Sequence, residues 1–171
     1  LKTYWRSKGI VKDLHTHKID IYHGLSHELP LGIEKTSIKT VITIHDLIFI
    51  RYPYLFKLID RKIYYKKFKS ACQRANKIIA ISQQTKKDII DFFEIPESKI
   101  TVVYQGCNKV FQSPVSDNIK QAILSKYNIQ QDYLLYVGSI EERKNLLTLL
   151  KTLKELPNQK LVIIGNGKSY K

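Results

Sequence analysis

Short apolar runs alternate with amphipathic stretches along the 171-residue chain. The runs at 19–22, 41–44, 78–81, 101–104, 133–137 and 161–164 predict strands, and they are continuous rather than alternating, as expected of parallel strands buried on both faces. Between them, residues 55 to 75 carry Leu55, Ile59, Ile63, Phe68 and Ala75 at three- to five-residue spacings, which predicts one apolar helical face. Residues 83 to 94 carry Ile89, Ile90 and Phe93 behind Ser82, whose hydroxyl suits an N-cap. Strand, helix and strand in rotation predict an α/β protein with an open, doubly wound sheet. The turn-rich stretch QSPVSDN, 112 to 118, followed by a helical pattern to Tyr127, places a hinge between a first domain, 1 to 113, and a second, 114 to 171.

Ligands in such sheets bind outside the carboxyl ends of the strands. Those ends read His23-Gly24, His45-Asp46, Ser82, Gln105-Gly106, Gly138-Ser139 and Gly165-Asn166, a rim of small and polar residues. Glycine and serine also end strands for turn geometry alone, so the weight falls on the histidines and on one basic pair. That pair is in YLLYVGSIEERKNLLTLL, where the apolar run stops at Gly138 and Arg143 and Lys144 stand at the start of a helical pattern. Helix-start N–H groups beside two cations make an anion site. For His45-Asp46 a purely local use competes: the imidazole bonds backbone at the strand end, and the carboxylate caps the next helix.

Two tempting motifs fail on spacing. In GNGKS the first Walker glycine falls at Val162, inside a predicted strand, and a dinucleotide fingerprint requires glycine at Tyr170; Gly165 and Gly167 read instead as a strand-end turn that admits a ligand to the backbone. Histidines 15, 17, 23 and 27 crowd the amino-terminal stretch, but no cysteine or ordered carboxylate set accompanies them, so no metal site is expected and His15 and His17 read as solvent-exposed.

Composition adds bounds. A hydrophobic content of 43% supports a folded core, no apolar run approaches the ~20 residues that span a bilayer, and the first ten residues lack a signal-peptide core, which makes the cytoplasm the expected location. Cys72 and Cys107 lack C-x-x-C spacing and read as reduced packing residues. The net charge of +14 suits nucleic acid, an anionic membrane face or a phosphorylated substrate, and equally the lysine-rich codon usage of an AT-rich genome. Lys57, Arg61, Lys62, Lys66, Lys67 and Lys69, interleaved with Tyr64, Tyr65 and Phe68, read either as a membrane-facing helix or as a solvated face over a core stripe.

The ordered series DIYHGLSHELP, TVITIHDLIF, ANKIIAISQQTKKDII, IPESKITVVYQGCNKVF, YVGSIEERKNL and LVIIGNG resembles the family 4 glycosyltransferases of GT-B architecture, most of all the bacterial branch that transfers mannose or related sugars into surface polysaccharide. The resemblance implies two Rossmann-like parallel-sheet domains facing a cleft, each partly covered by this chain. It implies a nucleoside-diphosphate sugar as donor, a glycan or lipid-linked acceptor, retention at the anomeric carbon, no required metal or other cofactor, and work at the inner face of the membrane rather than on nucleic acid. Lys144 falls at the family's diphosphate-binding lysine. Many members carry an arginine directly after the strand-end glycine; here Ser139 stands after Gly138, so Arg143 shares or takes over the second cationic role. His45 matches the acceptor-side histidine, Asp46 supports its loop, and His23, Ser82 and Gly165 fall to the remaining cleft. QGCN departs from the usual N-G-V-D at Gln105 and Asn108. The glycine-rich loop expected before Leu1 and the E-x7-E segment expected after Lys171 are not in this sequence, so the chain alone is expected not to be a competent enzyme. The alternative is a non-catalytic basic α/β module that binds nucleic acid or anionic membrane.

Overall fold

The computed structural model describes residues 4–129 and 132–167, which form two compact units, Leu1–Gly106 and Cys107–Lys171. The division precedes the turn-rich 112–118 stretch. In the first unit, strands β1 (Ile21–Gly24), β2 (Lys39–Ile44), β3 (Lys77–Ala80) and β4 (Ile100–Val102) form one parallel sheet in that spatial order. In the second, β5 (Tyr133–Val137) and β6 (Lys160–Ile164) pair in parallel. The α/β class and the parallel pairing are as the apolar runs predict.

Parallel neighbours need crossovers, and from β2 to β4 α-helices supply them. Between β2 and β3 run the short helix Ile48–Arg51 and the long helix Leu58–Arg74; between β3 and β4 runs Gln83–Phe93. Ser82 caps the last of these as predicted, its Oγ accepting the Thr85 amide at 3.0 Å. Glu94 ends it in the left-handed region at φ 58°. The core joins Ile42 and Ile44 of β2, Ile78 and Ala80 of β3 and Ile100 of β4 to Ala71, Cys72 and Ala75 at the end of the long helix and to Ile89 and Phe93 of the next. Each large apolar side chain removed from water here contributes about 1.5–3 kcal/mol.

Three expectations change. The interior strands β2 and β3 bury one face fully, while Val41, Thr43 and Ile79 on the other are half-buried. In the long helix the buried face is Phe68, Ala71 and Cys72, whereas Ile59 and Ile63 are 72% and 46% exposed. Both isoleucines lie on the side turned away from the sheet, so their spacing satisfies a helical period without belonging to the core stripe. Cys72 packs, and burial pushes its thiol up to about 12, but Cys107 is exposed and packs nothing. The second unit is thinly covered: Leu135, Val137 and Ile164 are exposed, as two strands cannot shield each other's faces.

Candidate functional site

Because the four strands of the first unit are parallel, His23, His45, Ser82 and Gln105 share one rim. His45 follows β2, an interior strand, and is half-buried. Its Nε2–H donates to the Leu25 carbonyl at 3.0 Å, which leaves Nδ1 as the acceptor in the neutral ring; the Gln105 side-chain amide approaches that nitrogen at 3.5 Å. Asp46 Oδ1 accepts the Ile48 amide at 3.2 Å, at the start of the short helix. The local use weighed for His45 is therefore present, while Asp46 makes a turn one residue ahead of Leu47, the N-cap of that helix. The His45 ring keeps its Nδ1 on the rim, while the Asp46 carboxylate, although exposed, is engaged in its turn.

The neighbours hold the His45 main chain. Thr85 Oγ1 donates to the His45 carbonyl at 3.0 Å and lies 2.9 Å from Ser82 Oγ, so Ser82 reaches the rim indirectly, through the cap it makes. His23 is exposed and its Nε2 lies 2.8 Å from Thr43 Oγ1. Below, Arg51 pairs with the buried Asp88, which also accepts from Gln84 at 2.7 Å. His27, which the sequence marks only as one of four clustered histidines, meets the His45 ring edge-on at 5.2 Å and stacks on Phe68 at 4.4 Å. Burial, then the adjacent His45, lowers its pKa to about 4. Its place follows from a left-handed residue, φ 62°, which no apolar pattern signals. Thr85 was likewise invisible except as the third residue after a cap. Among the described residues no cluster of three or more His, Cys, Asp or Glu side chains is placed to hold a metal, and His15 and His17 are exposed.

In the second unit Gly138 follows β5 and its amide donates to the Ile164 carbonyl at 3.0 Å. A Cβ on Gly165 would stand 1.8 Å from the Gly138 carbonyl oxygen, so the other strand's own main chain closely approaches the backbone at Gly165. Arg143 and Lys144 occupy a 3-10 turn, Glu142–Lys144; Asn145 is left-handed at φ 53°, and the helix Leu146–Leu153 begins only after it. The pair thus precedes the helix rather than sitting in its first turn. The two cations differ. Arg143 is held by Glu141 at 3.2 Å, and Glu141 is kept below the usual carboxylate range chiefly by a hydrogen bond from Ser139. Lys144 is exposed and forms no ion pair among the described residues. Lys168 and Ser169 of GNGKS lie outside the described residues.

The sequence profile of Glycosyltransferase Family 4 matches residues 1–109. The chain is 31% identical over 146 residues to O-antigen chain mannosyltransferase B of Escherichia coli, covering 84% of this chain and 37% of that protein. It is 28% identical over 138 residues to the serotype-specific mannosyltransferase WbdA of Escherichia coli, covering 79% and 17%. With the O-antigen chain mannosyltransferase RfbU of Salmonella typhimurium it shares 26% over 144 residues, covering 84% and 35%. The chain therefore spans well under half the length of these curated relatives. A crystal structure of a glycosyltransferase from Rickettsia africae ESF-5 matches with a TM-score of 0.57 at 19% identity, over 94% of this chain and 50% of that one, a likeness of fold.

Proposed function

Because this chain belongs to glycosyltransferase family 4, we propose that the full-length protein transfers a hexosyl group, mannosyl first, from a nucleoside-diphosphate sugar to a glycan or lipid-linked acceptor with retention of configuration. The observation that carries this reading is Lys144: an exposed cation without an ion pair among the described residues, on the turn after a strand-end glycine, beside an arginine already tethered. In the transfer the acceptor hydroxyl bonds to the anomeric carbon, the bond from that carbon to the diphosphate breaks, and a donor phosphate oxygen takes the hydroxyl proton. Charge grows on the leaving diphosphate, and a fixed ammonium that meets it lowers the barrier. Arg143 shares that task by exchanging Glu141 for phosphate. His45, with Nε2–H spent on Leu25, offers Nδ1 to a second hydroxyl of the acceptor, beside the one that reacts, and so orients the acceptor. The mannosyl choice is supported by the names of the relatives. No metal or other cofactor has a part in this scheme.

The direct test incubates the full-length protein with radiolabelled nucleoside-diphosphate sugars, mannose among them, and a lipid-linked glycan acceptor. Labelled glycan, released nucleoside diphosphate and an anomeric configuration equal to the donor's are expected. Absence of donor consumption together with tight, salt-sensitive polyanion binding replaces this reading with the non-catalytic basic module.

A second observation favours work at a membrane face. Among the described residues no helix is long and apolar enough to cross a bilayer. The outward side of Leu58–Arg74, however, carries Ile59, Lys62, Ile63 and Lys66 at helical spacing, and Tyr54, in the turn shortly before this helix, is 79% exposed. Exposed apolar groups among lysines suit an anionic surface, each basic residue near it contributing about 1 kcal/mol. The protein is expected to sediment with vesicles containing anionic phospholipid and to remain in solution with neutral ones; replacing Ile59, Lys62 and Ile63 by serine should release it. Equal sedimentation of the triple variant would remove this surface from consideration.

A further inference from the structure

Strand β2 runs beyond its pairing with β1. The register ends at Gly24 opposite Ile42, while β2 continues to Ile44. On that side the Thr43 carbonyl and the His45 amide lack a strand partner, and main-chain groups left so are costly. His27 meets both. Its amide donates to the Thr43 carbonyl at 3.3 Å, and the His45 amide donates to its Nδ1 at 3.4 Å. In a parallel ladder one residue bonds the carbonyl before and the amide after its opposite number. His27 reproduces that pattern opposite Ile44, with a ring nitrogen in place of its own carbonyl.

Building on the reading of His45 as the acceptor-side group, we propose that His27 is a positioning residue for His45, fixing the main chain from which that ring projects by acting as a one-residue extension of the sheet edge. The Phe68 ring, 4.4 Å away and inclined by 10°, holds the His27 imidazole in plane for the task, and the Leu25 carbonyl two residues earlier takes the His45 Nε2–H at 3.0 Å. The loop thus grips His45 at amide and ring together. The arrangement requires an unprotonated Nδ1, hence the Nε2–H tautomer. The charged and titratable groups facing His27 are His45, Asp46 and Glu28, the last paired with Lys67 and Arg6; Phe68 and the Thr43 carbonyl complete its surroundings. Burial and His45 keep the ring neutral at ordinary pH.

The tautomer is read first, without any substitution, from long-range nitrogen–proton correlations of the imidazoles in the protein. Nε2–H with a bare Nδ1 is expected; an Nδ1–H tautomer overturns the proposal. Two variants follow. His27→Phe keeps a ring to stack on Phe68 but has no acceptor, and His27→Asn places an oxygen near the Nδ1 position and tolerates left-handed backbone. In His27→Phe the His45 amide should exchange with solvent about 5-fold faster, the scale of one lost hydrogen bond, and kcat should fall while KM for the donor holds. His27→Asn should restore both to within about twofold, as its oxygen replaces the lost acceptor. Unchanged exchange at His45 in His27→Phe, or equal behaviour of the two variants, overturns the proposal. The tautomer and exchange measurements need no substrate, so they judge His27 even where the transfer assay rejects the transferase reading.

Discussion

Replacing Lys144 with alanine in the full-length protein is expected to lower kcat for the nucleotide-sugar donor by about 100-fold or more, the scale on which a single preorganised charge-stabilising group acts. The side chain is exposed and its turn is closed by main-chain bonding from the Lys144 amide to the Glu141 carbonyl at 2.9 Å, so the fold does not depend on the ammonium. The loss should appear in kcat more than in KM, since the charge it meets develops as the bond to the diphosphate breaks. Arg143→Ala should cost less, about tenfold, because Glu141 competes for that guanidinium before any phosphate arrives. Steady-state kinetics with unfolding midpoints as a control decide it. An unchanged kcat, with only a small reduction in the salt slope of polyanion binding, would sink the diphosphate assignment.

Gly24→Ala is the substitution expected to damage the first unit most for its size. A Cβ there would lie 2.3 Å from the Glu28 carbonyl oxygen and 3.3 Å from Ile42 Cγ2. Main chain cannot swing aside as a flexible side chain does, so the 25–28 loop must move, and that loop carries both the Leu25 carbonyl and His27. Overpacking of this kind costs about 1–3 kcal/mol. The denaturant midpoint should fall with the m-value unchanged, and transfer should weaken with it as His45 loses its two holds. A wild-type midpoint in the variant would show that the loop yields at no cost.

What the sequence discloses here depends on whether a residue's task is local. The strands were legible as short continuous apolar runs, β-branched in Val41–Ile44 and built mainly of leucine and tyrosine in Tyr133–Val137, which stand out whatever surrounds the chain. Ser82 was legible because a cap is settled within three residues. Ile59 and Ile63 misled because a helical period says which residues share a face but not which face meets the sheet. Arg143 and Lys144 were expected at the start of the helix and stand instead in the turn just before it, because the left-handed Asn145 interrupts a pattern that apolar spacing alone carries through. His27 escaped because its use arises from the end of one strand pairing and the overrun of the next, a relation between segments 18 residues apart.

If the proposed donor site is right, the close approach at Gly165 bears on substrate choice. Two main chains in contact, with no side chain between them, leave that strand end nothing to compress and no rotamer to exchange. A floor of this kind does not reshape itself for a bulkier or smaller donor. On the proposed donor reading, selectivity on this side would belong to what is mounted on the floor, Ser139, Arg143 and Lys144. A change of donor among related proteins would be written in such side chains while the two glycines stay as they are.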